Sequence, residues 1–265
     1  MTVTIEQLQA ARGEALIALC KEVDADATSD IQAILIDFVK DSSQAEVVRE
    51  EAAIALGRCK TPSSCSQLLQ LLTAEDPIIR QFAAEGLRED DTDDSILWLI
   101  DALQDSVNKV RNVAERALLK RETQMAKVGV EQLLDLLNHP VPLTRSPAAR
   151  LLGCTKDPRA REPLIEQLTS TEWLVRMWAA KGLGDLGDQQ ALPRLLEVMH
   201  SDEKNRVRAA AVEAVAALKP ENADEILQEI LATDSDEGVQ KVANEALLAL
   251  GFAGEELEYD PFADE

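Results

Sequence analysis

The chain has 265 residues and a formal net charge of -22 at pH 7, because Asp and Glu outnumber Lys and Arg by 49 to 27. Phosphate binding needs clustered Lys and Arg, so this balance argues against a nucleic-acid partner. It favours a protein partner with a basic surface, although solubility alone would also account for it. No apolar run is long enough to cross a bilayer and the first residues do not resemble a signal peptide, so we expect a cytoplasmic protein without membrane insertion.

Residues 1–42 predict an atypical helical pair. Apolar residues recur at helical spacing in 5–20 and in 31–39, and the sequence Thr-Ser-Asp at 28–30 is an N-cap signal for the second stretch. This region lacks the pattern that is repeated downstream. We therefore expect it to form N-terminal capping helices that close one end of a helical array.

Residues 43–251 repeat one pattern at intervals of 31 to 34 residues. Each copy has a branched residue followed by arginine, an alanine three places after the arginine, and an aliphatic residue seven places after it. The arginine positions are Arg49, Arg80, Arg111, Arg145, Arg176 and Arg208, with Gln240 in the last copy. A repeat of this length with helical spacing inside each copy is typical of α-solenoids.

Each copy is interpreted as two amphipathic helices that run in opposite directions and are joined by a turn. Such a pair leaves an apolar flank uncovered, so it needs a neighbour of the same kind. The pattern V-R-x-x-A-A-x-x-L-G, preceded by Asp76-Pro77 or Asp105-Ser106, resembles HEAT repeats. We predict an all-α fold, an α-α superhelix or HEAT-like solenoid of about seven helical hairpins.

Two segments depart from this pattern. The second copy has an acidic turn, residues 89–94, which we expect to be a solvated loop because blocks of like charge repel and remain hydrated. Residues 252–265 form an acidic C-terminal tail that is expected to be disordered. The alternative is that the aromatic residues of the tail dock on another protein or cover the last helix.

Three large apolar residues interrupt columns of mostly polar residues at equivalent repeat positions. The column of Trp98 also contains Gln67, Gln132, Pro163, Arg194 and Glu225. Trp173 and Met177 are four residues apart and hence neighbours at the start of one helix. We expect Trp98, Trp173 and Met177 to be solvent-accessible anchors for a protein partner, unless each fills a gap between repeats. Trp178 shares its column with Phe82, Val113 and Val242, so it is expected in the core.

A further column carries acidic residues on successive second helices: Asp101, Asp135, Glu166 and Glu197. In HEAT-like arrays the second helices line the concave side, so these residues predict an acidic groove. Such a groove suits a basic helix or tail of a client protein, mainly through electrostatic steering. A solvated face would explain the same residues without a function.

The four cysteines, Cys20, Cys59, Cys65 and Cys154, are too few and too irregularly spaced for a disulfide framework. Cys59 and Cys65 flank one turn, whereas Cys154 lies three repeats further on, too far to share a metal ion with Cys59. We assign no metal site. A cluster shared with a partner stays open, with Cys59, Cys65 and Cys154 as its candidate ligands.

No catalytic residue is assigned. The histidines, His139 and His200, have no Cys or Ser partner at a recognisable spacing. Gly182, Gly184 and Gly187 follow no strand, so they do not form a phosphate-binding loop. The sequence therefore favours a protein without enzymatic activity.

The segments WLVRMWAAKGLGDLGDQQALPRLLE and NRVRAAAVEAVAALKP are similar to repeats of the cyanobacterial HEAT-repeat group that includes the E and F type phycobilin lyase subunits. The resemblance implies attachment or removal of a bilin on phycobiliproteins, or chaperone-like binding of those subunits. Through other members of that group, the resemblance also implies a role in iron–sulfur cluster assembly with A-type carrier proteins. We expect a non-catalytic scaffold or chaperone-like adaptor that holds a client protein along an acidic groove. The alternatives are a phycobilin lyase subunit and an iron–sulfur assembly partner.

Overall fold

The computed structural model describes residues 3–25 and 27–252, and its secondary structure is helical. The predicted all-α solenoid of stacked helical pairs is confirmed. The chain forms two compact units, Met1–Gln132 and Leu133–Glu265, and the boundary between them falls within the helix Val130–Leu137. Among the described residues no helix is both long and apolar enough to span a lipid bilayer.

The first unit begins with three helices that lack the repeated arginine and continues with helical pairs. Its helices are α1 (Ile5–Ala10), α2 (Gly13–Glu22), α3 (Ser29–Lys40), α4 (Glu46–Arg58), α5 (Pro62–Leu72), α6 (Pro77–Leu87), α7 (Asp93–Ala102), α8 (Asn108–Leu119) and α9 (Glu122–Val128), with α10 (Val130–Leu137) at the boundary. The helical stretch predicted for residues 5–20 is interrupted, because Ala11 and Arg12 adopt extended backbone. Thr28 caps α3 as predicted, since its hydroxyl accepts the N–H of Ile31.

The second unit consists of helical pairs followed by a single last helix. Its remaining helices are α11 (Pro142–Thr155), α12 (Arg161–Gln167), α13 (Trp173–Leu186), α14 (Leu192–Ser201), α15 (Asn205–Leu218), α16 (Ala223–Thr233) and α17 (Glu237–Ala249). α17 stops at Gly251 as predicted, where φ is +86°. The tail predicted to be disordered lies outside the described residues from residue 253 onward.

Within each unit the first helices of successive pairs pack side by side, α4 on α6 in the first unit and α11 on α13 in the second. Glycine permits their close approach. A Cβ atom at Gly57 would lie 2.0 Å from the carbonyl oxygen of Gly86, and one at Gly153 would lie 2.4 Å from that of Gly182. Both contacts join the residue eight places after one repeated arginine to the residue six places after the next. The contact is therefore a property of the repeat.

The repeated arginine joins the loop before its own helix to the loop before the next first helix. Arg176 donates to the carbonyl oxygen of Ser170 at 2.8 Å. Its Nε and Nη2 also donate to the two carboxylate oxygens of Asp202, at 2.6 and 3.0 Å. The same bidentate pair recurs as Arg80–Asp105 and Arg208–Asp234. The sequence pattern identified the arginine as a repeat mark but missed its carboxylate partner, 25 or 26 residues later.

The acidic turn at 89–94 departs at one residue, Asp90, from the solvated loop that the sequence predicted. Asp90 is fully buried, whereas residues 91–94 are exposed. The carboxylate of Asp90 accepts a hydrogen bond from the thiol of Cys65, and its carbonyl oxygen accepts one from the guanidinium of Arg121. The prediction is wrong at this residue because donors from two other helical pairs surround one member of the charge block.

Candidate functional site

Trp98 lies in a cleft between two second helices of the first unit, α5 and α7. The cleft has a volume of about 300 Å³ and is lined by Leu69, Leu72, Thr73, Trp98, Asp101, Ala102, Gln104 and Asp105. Trp98 and Asp101 share one face of α7 because they are three residues apart. The indole is half-buried, so part of it is accessible to a partner.

Asp101, at the edge of this cleft, carries an exposed side chain. Its carboxylate forms no ion pair or hydrogen bond with any residue in 3–25 or 27–252. Partial desolvation raises the pKa of this carboxyl. Burial would also raise the pKa of Asp105, but hydrogen bonds from Arg80 and from the N–H of Val107 outweigh it and lower that pKa. The cleft therefore presents one uncompensated carboxylate beside an indole ring.

Trp173 and Met177 lie on the first turns of α13 in the second unit. Both are half-buried. The guanidinium carbon of the exposed Arg206, on α15, lies 5.7 Å from the centroid of the Trp173 ring, within the range of a cation–π contact. Both side chains therefore remain accessible in part, and the indole is oriented by a neighbouring helix.

Two apolar residues that the sequence analysis did not single out are more exposed. Val141 and Leu143, at the start of α11, are 45% and 51% exposed. The position two places before the repeated arginine could have identified Leu143, because it is apolar in four of seven copies: Val47, Ile78, Lys109, Leu143, Leu174, Arg206 and Gly238. Since α11 packs against α13, we group Val141, Leu143, Trp173 and Met177 as the apolar face of the second unit.

Trp178 is not the core residue that the sequence predicted. It is half-buried and lines a second cleft, of about 260 Å³. The guanidinium carbon of Arg150 lies 4.6 Å from its ring centroid and the Nζ of Lys181 lies 5.8 Å from it. Lys181 also pairs with Glu213 at 2.7 Å. Val113 fits inside the core at the equivalent position, whereas the larger indole reaches the cleft.

The acidic residues predicted to line a groove are exposed. In the second unit Asp135 lies on α10, Glu166 on α12 and Glu197 on α14, while Asp101 belongs to the first unit. Arg194 donates to the carboxylate of Glu197 within α14, so that charge is compensated locally. Asp135 and Glu166 form no ion pair with a residue that the structure describes.

The cysteines named as candidate cluster ligands have separate local partners. Cys59 donates to the carbonyl oxygen of Ala55 at 3.3 Å, and Cys65 donates to the carboxylate of Asp90. Burial raises the pKa of Cys59 to about 11 and, together with the bond to Asp90, that of Cys65 to about 12. In the absence of a metal, both thiols are therefore protonated at neutral pH. Cys154 is half-buried in the second unit.

The described residues contain no group of three or more His, Cys, Asp or Glu that could hold a metal ion, and nothing here supports the iron–sulfur alternative.

Similar proteins identify the family. Residues 33–119, 130–216 and 162–248 match the HEAT-repeat family, which covers more than half of the chain. No curated protein matches the sequence.

Three solved structures illustrate the likeness. The complex of CpcE and CpcF of phycocyanin lyase from Nostoc sp. PCC7120 is 28% identical over 58% of this chain and 98% of that chain, with a TM-score of 0.51. YibA of E. coli is 20% identical over 92% of this chain and 90% of its own, with a TM-score of 0.51. Kap95p, solved with RanGDP, is 15% identical over 92% of this chain and 39% of its own, with a TM-score of 0.62. The last two show the fold alone. The chain therefore belongs to the HEAT-repeat family and is related to phycobilin lyase subunits.

Proposed function

We propose that the protein is a non-catalytic scaffold or chaperone-like adaptor that holds a client protein. The apolar face of the second unit carries this proposal. Val141 and Leu143 are about half exposed, and Trp173 and Met177 are partly accessible on the helix packed against theirs. Copies with polar residues at the positions of Trp173 and Met177 also form helical pairs, so the fold does not require these side chains. An accessible aromatic residue among smaller apolar groups is a usual centre of a protein interface.

The exposed carboxylates support a client with a basic surface. Asp135 and Glu166 have no ion-pair partner among the described residues, and the whole chain carries a net charge of -22. Charges of one sign at the edge of an interface raise the rate of association with an oppositely charged partner. The CpcE–CpcF structure is a complex of two proteins, which supports a protein as the partner here.

The proposal is tested by quantitative pull-down with the immobilised chain and its Trp173→Ala and Met177→Ala variants. Interface anchors contribute about 2 kcal/mol or more, so recovery of a specific client should fall at least about tenfold. Leu248→Ala is the matched control, because Leu248 is a 57% exposed apolar residue on α17, outside the apolar face. Circular dichroism checks that each variant keeps its helical content.

The outcome that contradicts the proposal is a client recovered equally by the wild type, Trp173→Ala and Met177→Ala. Loss of the client in Leu248→Ala alone would also contradict it, because the contact surface would then be the last helix.

The likeness to phycocyanin lyase favours a second candidate function, a phycobilin lyase subunit that acts on phycobiliproteins. Its support is 28% identity over 98% of the similar chain. The test is incubation of the chain with a bilin and a bilin-free phycobiliprotein subunit. A covalently coloured subunit would favour this function over the scaffold. Absence of both the adduct and bilin binding at micromolar concentration would exclude it.

A further inference from the structure

We infer that the cleft around Trp98 and Asp101 binds one cationic side chain, an arginine or a lysine, of the client protein. The inference rests on the proposed function, because it names the chemistry that a client would present to the first unit. Three observations support it: the comparison of α7 with α14, the side chains that line the cleft, and the charges in the cleft.

One other copy of the repeat shows which group can pair with this acid. Arg194 and Glu197 on α14 occupy the repeat positions of Trp98 and Asp101 on α7. On α14 the guanidinium of Arg194 donates to the carboxylate of Glu197 and the two form an ion pair. On α7 the acid is kept, but an indole stands in the position of the cation. The acid of α7 therefore lacks the intramolecular cation that α14 supplies, as do Asp135 and Glu166, whose partners in the column are Gln132 and Pro163.

An indole beside a carboxylate recognises a cation in two ways. The face of the ring attracts the positive charge, and the carboxylate accepts a charge-assisted hydrogen bond. Leu69 and Leu72 line the cleft and offer apolar contact to the methylene stem of an arginine or lysine. The volume of about 300 Å³ lies at the lower end of small-molecule sites, roughly 300–1,000 Å³, so the cleft suits one side chain.

The electrostatics of the cleft indicate a single cation. Asp105 is already bound by both arms of the Arg80 guanidinium, at 2.6 and 3.0 Å, so its charge is compensated. Asp101 has no counter-charge from the part of the chain that the structure describes, and partial desolvation raises its pKa. A cation placed beside it would remove that penalty, because an opposite charge favours the ionised carboxylate.

The test uses the peptide acetyl-Leu-Arg-Leu-amide and a matched peptide in which citrulline, a neutral analogue of the same shape, replaces arginine. Nuclear magnetic resonance follows the indole N–H signals of the three tryptophans in the full ¹⁵N-labelled chain, with the Trp98 signal assigned from Trp98→Phe. We expect the arginine peptide to shift the Trp98 signal without moving those of Trp173 and Trp178. It should bind at least about tenfold more tightly than the citrulline peptide.

Three variants separate the cleft from general acidity. Asp101→Asn should weaken binding of the arginine peptide about tenfold, whereas Glu245→Gln, at an exposed carboxylate on α17, should leave it unchanged. Trp98→Arg restores the pattern of α14 and should abolish binding, because the new guanidinium occupies Asp101. Equal affinity for the citrulline peptide, full affinity in Asp101→Asn, or no shift up to about 10 mM peptide would overturn the inference.

Failure of this inference is distinguishable from failure of the proposed function. A client lost in Trp173→Ala but retained fully in Asp101→Asn supports the scaffold and overturns the cation site. A client lost in Asp101→Asn and retained in Glu245→Gln supports the cation site.

Discussion

At the scale of single residues, we expect the ion pair of Arg176 and Asp202 to stabilise the contact between neighbouring repeats. The Asp202 carboxylate accepts two bonds from Arg176 and one from the N–H of Lys204, and its side chain is 7% exposed. Asp202→Asn leaves a largely buried guanidinium without its counter-charge. Removal of one partner of a buried pair costs about 3–5 kcal/mol. Because the bond from Arg176 to Ser170 remains, we expect urea unfolding to report a loss of about 3 kcal/mol.

Glu203→Gln is the matched control for this prediction. The carboxylate of Glu203 lies 3.6 Å from Nη2 of Arg176, but its side chain is 73% exposed. Exposed ion pairs contribute little, so the free energy of unfolding should change by less than about 1 kcal/mol. Equal losses in Asp202→Asn and Glu203→Gln would show that the geometry of the buried pair is not what stabilises the repeats.

The sequence did not predict the burial of every individual side chain. The charge block at 89–94 predicts hydration on average, but Asp90 is buried because Cys65 and Arg121 reach it from other helical pairs. The prediction that Trp178 lies in the core was also wrong. Its repeat column predicts that the side chain points inward, but it does not predict how far a large ring extends. The error at Asp90 concerns contacts between residues distant in sequence, which a local pattern does not record.

At the scale of helices, glycine sets the distance between α11 and α13. A Cβ atom at Gly182 would lie 2.5 Å from the carbonyl oxygen of Ala149, and no rotamer change relieves a contact with backbone. Alanine favours a helix over glycine by about 1 kcal/mol, whereas overpacking costs roughly 1–3 kcal/mol. Gly182→Ala should therefore lower the free energy of unfolding by up to about 2 kcal/mol, measured by thermal or urea denaturation.

Gly238→Ala provides the comparison for this helix contact. Its added Cβ would meet one side-chain atom within 4 Å, the carboxylate of Asp236 at 3.0 Å, near the start of α17. That substitution should be neutral or stabilising, by up to about 1 kcal/mol. Equal stabilisation in Gly182→Ala would mean that the first helices do not depend on glycine for their spacing.

Helix ends with local signals were predictable, and one interruption was not. Thr28 caps α3 and Gly251 ends α17, because both signals act within a few residues of the helix end. The apolar period of residues 5–20 continues through the break between α1 and α2, where Gly13 has a φ of +54°. Apolar spacing reports which face is buried and does not report backbone torsion, so the break was missed.

At the scale of the whole chain, the fold was predictable because the same helical pattern occurs in several copies of the repeat. Each repeated arginine carries the same helical surroundings, so errors in one copy are corrected by the others. Breaks in the columns also identified Trp98, Trp173 and Met177 as unusual. What the columns did not reveal was the exposure of Val141 or the lack of a partner for Asp101 among the described residues, because both depend on what packs nearby.

Ionic strength should act in opposite directions on folding and on binding. A net charge of -22 destabilises the compact state through self-repulsion, and salt shortens the screening length from about 30 Å at 0.01 M to about 10 Å at 0.1 M. The bidentate pairs are screened less: the side chains of Arg80 and Asp105 are only 14% and 10% exposed. Added sodium chloride should therefore relieve repulsion while leaving these pairs in place, and the melting temperature should rise.

The same salt should weaken binding of the arginine peptide, because the carboxylate of Asp101 is exposed and its attraction for a cation is screened. Calorimetry and peptide titration between about 0.01 and 0.3 M sodium chloride measure both effects on one preparation. A melting temperature that falls with salt would mean that surface ion pairs outweigh the net repulsion. Peptide affinity independent of salt, with a rising melting temperature, would mean that the cleft around Trp98 holds its ligand by apolar contact and that Asp101 contributes no charge to recognition.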